Sequence, residues 1–229
     1  MTIAQLGKST NDVLVCGVER NNQIYIPTGD FELKAGDMLS FVAPAKKVSD
    51  FLKQIGFKTN KVKNTMIIGG GDAGYYLAKR LSDNGIDVCL IDKDKERCEE
   101  IATLLPKVVV INGNGVDEDL LNEEGLQSAE SFVTLTGSDE ENILLTVHAK
   151  QFSNAKLVTK INRIRFKDAI NTLDIGSVIY PRYITSEAII AYVRAKSASK
   201  GSNVETLYHL FDHRVEAVEF KIDKESKVT

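Results

Sequence analysis

Two hydrophobic periods divide this chain. From Thr65 onward, short uninterrupted apolar runs alternate with stretches in which apolar residues recur every three or four positions. The first pattern belongs to strands buried on both faces, the second to helices packed by one face. The runs predict strands near 65–68, 87–91, 107–111, 131–135, 156–161 and 177–180. Helices are expected near 73–83, 94–104, 117–123, 140–151 and 164–171. Such alternation implies an α/β fold built on a doubly wound parallel sheet with right-handed crossovers.

Residues 1–58 follow a different rule. Short β-type runs at 13–18, 23–26 and 38–42 are separated by the turn clusters Glu19-Arg20-Asn21-Asn22, Pro27-Thr28-Gly29-Asp30 and Lys34-Ala35-Gly36-Asp37. A helical pattern with Val48, Phe51, Leu52 and Ile55 follows, closed by Gly56. This is a small α+β lobe, and polar residues 58–64 read as a linker. Near the other end, Ala188-Ile189-Ile190-Ala191-Tyr192-Val193 lacks any polar residue. A helix apolar on all sides must be covered on all sides. The expectation is that 184–195 crosses to a second subunit, with burial under the N-terminal lobe as the alternative.

Composition narrows the function classes. With 229 residues and 43% hydrophobic content, the chain suffices for a full core and a smaller companion. Its 29 basic and 32 acidic residues nearly cancel, leaving no electrostatic case for nucleic acid or an anionic membrane. No apolar run approaches a membrane span, and Met1-Thr2-Ile3-Ala4-Gln5 lacks the regions of a signal peptide, so the expected compartment is the cytoplasm. Cys16, Cys89 and Cys98 have neither disulfide-framework nor zinc spacing. His209 and His213 stand four apart on an expected helix, but no third ligand completes a metal site.

The candidate chemistry lies at the first strand-to-helix turn, Gly69-Gly70-Gly71-Asp72-Ala73-Gly74. Gly69 permits a tight turn, Gly71 lets backbone approach a pyrophosphate, and Gly74 lets helix and strand pack closely. The helix's free N–H groups and positive dipole end then face the phosphates. The next strand ends at Asp92, eighteen residues after Gly74. An acid there accepts hydrogen bonds from an adenine ribose, and it disfavours a 2′-phosphate. Lys93, directly after it, softens that preference. With six strands in this rhythm the unit is of Rossmann type, whose ligand lies at the carboxyl ends of the strands. Those ends deliver Asn114 within Asn112-Gly113-Asn114-Gly115, then Thr136 with Gly137, then Lys160, a cation suited to a phosphate. Ser138-Asp139-Glu140-Glu141 reads as helix capping, without catalytic carboxylates.

These stretches resemble the RCK family, the TrkA-N plus TrkA-C regulatory subunits of bacterial Trk and Ktr potassium-uptake systems. The resemblance rests on Ile67-Ile68-Gly69-Gly70-Gly71-Asp72-Ala73-Gly74, Leu90-Ile91-Asp92-Lys93-Asp94-Lys95-Glu96-Arg97 and Asn112-Gly113-Asn114-Gly115-Val116-Asp117. It continues through Leu135-Thr136-Gly137-Ser138-Asp139-Glu140-Glu141-Asn142-Ile143 and Thr159-Lys160-Ile161-Asn162-Arg163. It implies a cytosolic nucleotide-sensing subunit that forms a homodimer or higher ring and docks on a membrane potassium transporter. It also carries nucleotide contacts over to Gly69 through Ala73, Asp92, Thr136, Gly137 and Lys160. Many members have Asp in place of Asn114 and Arg in place of Lys160. Some ATP-sensing members have Arg in place of Asp72. An acid facing a γ-phosphate is unfavourable, which favours NAD or NADH, with ADP, AMP and ATP behind.

On this reading residues 1–58 are a TrkA-C-like lobe lacking its first strand, and 64–183 the nucleotide-binding domain. Residues 184–214 are crossover and dimerisation helices, and 215–229 begin a second C-lobe. The chain thus reads as an excerpt of a tandem-repeat protein. Residues 215–222 are expected to pair, as a solitary strand, with the 1–58 lobe of the same chain or of a swapped neighbour. The functional expectation is a regulatory subunit without catalytic residues. The rival is an NAD-dependent oxidoreductase, which would need a proton donor or acceptor and a substrate pocket. Only about 45 residues follow the last expected strand, and they hold no His, Lys or Tyr cluster of that kind.

Overall fold

The computed structural model describes residues 1–8, 13–57, 60–163, 170, 172–173, 175–198, 204–211 and 214–220. The chain divides into two compact units, one formed by Lys61–Ser186 and the other by Met1–Asn60 with Glu187–Thr229.

The first of these is a six-stranded parallel sheet. Its strands are β4 (Asn64–Ile68), β5 (Asp87–Asp92), β6 (Val109–Asn112), β7 (Ser131–Thr134), β8 (Lys156–Lys160) and β9 (Ser177–Ile179). Their spatial order is β6-β5-β4-β7-β8-β9, and every neighbouring pair is parallel. Chain direction across the sheet therefore reverses between β4 and β7, the switch point of a doubly wound fold. Helices α3 (Asp72–Asp83), α4 (Lys95–Leu104), α5 (Glu118–Glu123) and α6 (Asp139–Phe152) connect the strands. The helix expected near 164–171 falls mostly outside the described residues.

Alternation along β4 explains why both faces are covered. Met66 and Ile68 join a core with Phe132, Leu126, Leu145 and Ala149, whereas Ile67 joins Leu90, Ala78 and Ile101 on the opposite face. Ile67, Leu90 and Phe132 are completely buried. Each such side chain contributes roughly 1.5–3 kcal/mol, so a strand apolar at every position is stable only in this sandwiched place.

The other unit holds α1 (Ile3–Lys8), the antiparallel sheet β2-β1-β3 and α2 (Ala45–Gln54), where β1 is Leu14–Arg20, β2 Gln23–Tyr25 and β3 Met38–Val42. Among its described residues Val18, Phe51 and Leu6 are the buried apolar ones, and Phe41 meets Phe51 edge to face at 4.9 Å. Arg20 grips Asp37 with two parallel bonds of 2.7 Å.

The C-terminal part departs from expectation. Helix α7 (Pro181–Ala198) is as anticipated, but Val204–Leu210 forms strand β10 rather than helix. His209 therefore lies in a strand, which removes the helical spacing assumed for it, and His213 lies outside the described residues. The strand β11 (Val215–Phe220) is not solitary: it pairs antiparallel with β10 and shares no ladder with the three-stranded sheet. Its contact with the N-terminal lobe runs instead through the hairpin turn. Arg214 pairs with Glu19 and donates to the Asn22 carbonyl at 3.0 Å, and the Phe211 ring sits over Gly17. The β-bulge between Val15 and Gly17 lies beside that seat. On α7, Ile184, Ile189, Ile190, Tyr192 and Val193 are exposed, and for Ile189, Ile190, Tyr192 and Val193, which share a unit with the N-terminal lobe, burial under that lobe is not what the structure shows. Among the described residues no helix is long and apolar enough to cross a membrane.

Candidate functional site

The carboxyl ends of β4, β5, β6 and β7 enclose a crevice of about 300 Å³. Of the residues singled out from the sequence, Gly69, Asp92, Lys93, Asn114, Thr136 and Gly137 line it. Gly70, Gly71, Asp72, Ala73 and Gly74 carry the chain from there into α3 without lining it. Lys160, at the end of β8, does not line it either.

Two glycines of the turn answer a steric demand, and a third leaves open space. Gly69 has φ of 110°, in the region that favours glycine, and a Cβ there would come within 2.8 Å of the Leu135 carbonyl carbon. Gly74 lies so close to the Gly69 carbonyl oxygen that any side chain would collide with it. Nothing lies within 4 Å of the Cβ position of Gly71, so the space beyond it is open. Gly71 is also the N-cap of α3, and no side chain caps that helix. First-turn amides left uncapped at a helix N-terminus make a ready site for an anion.

Asp92 is tied to this loop. Its Oδ2 accepts from the Gly70 N–H at 2.5 Å and its Oδ1 from the Asp94 N–H at 2.8 Å. These bonds fix the carboxylate beside the glycine turn, with remaining lone pairs free for further donors. Asn112 and Gly113 both donate to the Asp92 carbonyl, at 3.1 and 2.9 Å, which brings the Asn114 turn alongside. Asn114 itself accepts from the Val116 N–H at 3.3 Å.

Lys160 is held back from the crevice. Its Nζ donates to the Leu135 carbonyl at 2.8 Å. Burial pushes its pKa down, and the negative charge of Asp139 acts against that shift. Asp72 is 96% exposed and stands 3.6 Å from Arg97 Nη2, so its charge is partly offset. The repulsion of a terminal phosphate expected from the sequence is correspondingly weaker.

Several residues at the site escaped the reading of the sequence. Arg97 donates from Nε to the Gly70 carbonyl at 2.8 Å and lies over the Tyr75 ring, bracing the loop from outside. Val116, Ser138, Glu141 and Leu145 also line the crevice, beside Gly115 of the turn already singled out from the sequence. Ser138 does cap α6 as expected, accepting from the Glu141 N–H at 3.2 Å. Its position after the strand at the switch point was the available signal that it would also face a ligand.

Comparison with known proteins places this arrangement. The TrkA-N domain model matches residues 65–181, and the TrkA-C domain model matches residues 1–56. The chain is 30% identical over 216 residues to Trk system potassium uptake protein trkA homolog 1 of Methanosarcina mazei, covering 94% of this chain and 52% of that protein. It is 31% identical over 207 residues to Trk system potassium uptake protein TrkA of Haemophilus influenzae, covering 90% of this chain and 44% of that one. It thus spans about half the length of the curated relatives it matches. Among solved structures, the GsuK channel bound to NAD superposes with a TM-score of 0.63 at 18% identity, over 90% of this chain and 37% of that chain. That likeness concerns the fold. With the glycine turn, Asp92 and the six-stranded sheet inside the matched span, the chain belongs to the TrkA-N domain family.

Proposed function

We propose that this chain is the nucleotide-binding part of a regulatory subunit that gates a membrane potassium-uptake transporter of Trk or Ktr type. The ligand is NAD or NADH. The observation that carries this reading is Asp92, anchored by the Gly70 amide at the mouth of a crevice that opens beside an uncapped helix N-terminus. An acid in that place suits a ribose with free hydroxyls. The crevice lining includes two carboxylates, Asp92 and Glu141, against one cation, Lys93. That balance suits a diphosphate-bridged dinucleotide better than a triphosphate, and it ranks ADP, AMP and ATP behind NAD and NADH.

A subunit of this kind works by differential binding. Nucleotide favours one relative arrangement of paired subunits, and the transporter responds to that arrangement. The exposed apolar residues of α7 support a homodimer, or a higher ring built from dimers. The names of the curated relatives support a potassium transporter as partner, and with it a place at the membrane, on its cytoplasmic face in this reading. Calorimetric titration with NAD, NADH, ATP, ADP and AMP tests the ligand. Tightest binding by NAD or NADH is expected, and equal or tighter ATP binding would overturn the choice. Sustained NADH oxidation across a panel of carbonyl substrates would replace this reading with the oxidoreductase one. Nucleotide-dependent potassium flux in vesicles holding the full-length subunit and its transporter tests the gating.

A further inference from the structure

Asn142, in the first turn of α6, is fully buried and has all four of its side-chain hydrogen-bonding positions engaged. Its Oδ1 accepts from the Thr136 N–H at 2.9 Å and from the Thr136 hydroxyl at 2.8 Å. Its Nδ2 donates to the Thr136 carbonyl at 3.2 Å and to the Lys160 carbonyl at 2.9 Å. The amide NH2 group needs acceptors and the amide oxygen needs donors, and with two backbone carbonyls on one side and the Thr136 N–H on the other these partners allow only one orientation of the side chain. One amide group therefore ties the carboxyl end of β7 to that of β8.

The anchor is itself supported from below. The Asn142 carbonyl accepts from the Thr146 hydroxyl at 2.8 Å, and that hydroxyl lies 2.8 Å from the Thr159 hydroxyl. Thr146 and Thr159 are completely buried. One turn earlier, Asp139 accepts from the Asn162 and Arg163 N–H groups at 2.8 and 3.0 Å, holding the backbone just past β8. A polar side chain buried this deeply is costly unless every bond is made, and an apolar residue would avoid the cost. What Asn142 gains in return is a fixed backbone at Thr136, which lines the crevice.

Thr136 and Lys160 stand on the opposite side of β4 from Asp92. In a doubly wound sheet a dinucleotide lies across the switch point, one mononucleotide over each half. We propose that Asn142 is a positioning residue for the second mononucleotide half. It holds the Thr136-Gly137 turn and the Lys160 backbone at the spacing that half requires, without touching the ligand. This inference rests on the dinucleotide reading given above.

The test uses the full chain with Asn142→Asp, titrated calorimetrically with NADH and with AMP. AMP carries only the half assigned to Asp92. A carboxylate at 142 loses both donors and sets an oxygen against the Thr136 and Lys160 carbonyls. The expected result is NADH binding at least about tenfold weaker, with AMP binding within about twofold of the parent. Should that variant fail to fold, Asn142→Ser introduces no charge and reads the same contrast. Unchanged NADH binding, or an equal loss for AMP and NADH, would overturn the inference, since a purely structural role moves both ligands together. Absence of NADH binding by the unmodified chain would overturn the dinucleotide reading as well, before any variant is made.

Discussion

Asp92→Ala separates the role of this side chain in ligand choice from its role in the loop. In the structure the carboxylate receives the Gly70 N–H at 2.5 Å and the Asp94 N–H at 2.8 Å. Truncation removes both anchors and any bonds to ribose hydroxyls. Charge-assisted bonds of the latter kind are worth about 1.5–3 kcal/mol together, or about 10- to 150-fold in Kd. Loss of the loop anchors weakens every dinucleotide alike. Loss of the ribose bonds weakens NADH more than NADPH, which has only its 3′-hydroxyl left to donate, and NADPH gains relief from a carboxylate beside its 2′-phosphate. The informative quantity is therefore the ratio of the two affinities. It is expected to shift by at least about tenfold toward NADPH when both are followed by calorimetry or by dihydronicotinamide fluorescence. Parallel losses for NADH and NADPH would leave only the loop effect and would place the ribose elsewhere. Unchanged affinities would remove Asp92 from the site.

Three further outcomes follow from the geometry. Gly74→Ala forces a methyl group against the Gly69 carbonyl and should destabilise the fold by roughly 3 kcal/mol or more in denaturant titration, whereas Gly71→Ala should melt normally yet bind nucleotide more weakly. A normal melt for Gly74→Ala would contradict the close approach of α3 to the turn. Ile190→Asp places a charge on the exposed apolar side of α7 and should shift sedimentation from dimer to monomer; a persistent dimer would move the interface elsewhere. Arg20 hydrogen-bonded to Asp37 lowers the Asp37 pKa from 3.8 to about 2. A carboxylate depressed on folding stabilises fully above its unfolded pKa and loses that contribution as pH falls through the folded value. Stability of the N-terminal lobe should therefore decline between about pH 4 and pH 2, and Asp37→Asn should flatten that part of the profile in acid titration followed by circular dichroism.

The sequence by itself determined the strands of the Rossmann unit, the turn between β4 and α3, and the acid at the end of β5. These features depend on short-range rules. A strand covered on both faces needs an apolar residue at nearly every position, as in Met66-Ile67-Ile68, and a helix that touches a strand at Gly74 admits no side chain. Asp92 was legible because a carboxylate at the end of the second strand has one geometric consequence, whatever the rest of the chain does. Periodicity failed where it was weakest. Residues 204–210 lack a clear apolar face, and the expectation of helices throughout 184–214 extended a helix to where the backbone pairs with β11 instead. The partner of β11 is the preceding strand of a local hairpin, which the helical expectation for 204–210 concealed. Tertiary structure alone decided that Arg97 braces the glycine loop and that Lys160 turns to the Leu135 carbonyl. It alone revealed Asn142 as the tie between two strand ends. A buried asparagine in a helix has no local signature, because its four partners lie six and eighteen residues away and meet only once β7, β8 and α6 have packed.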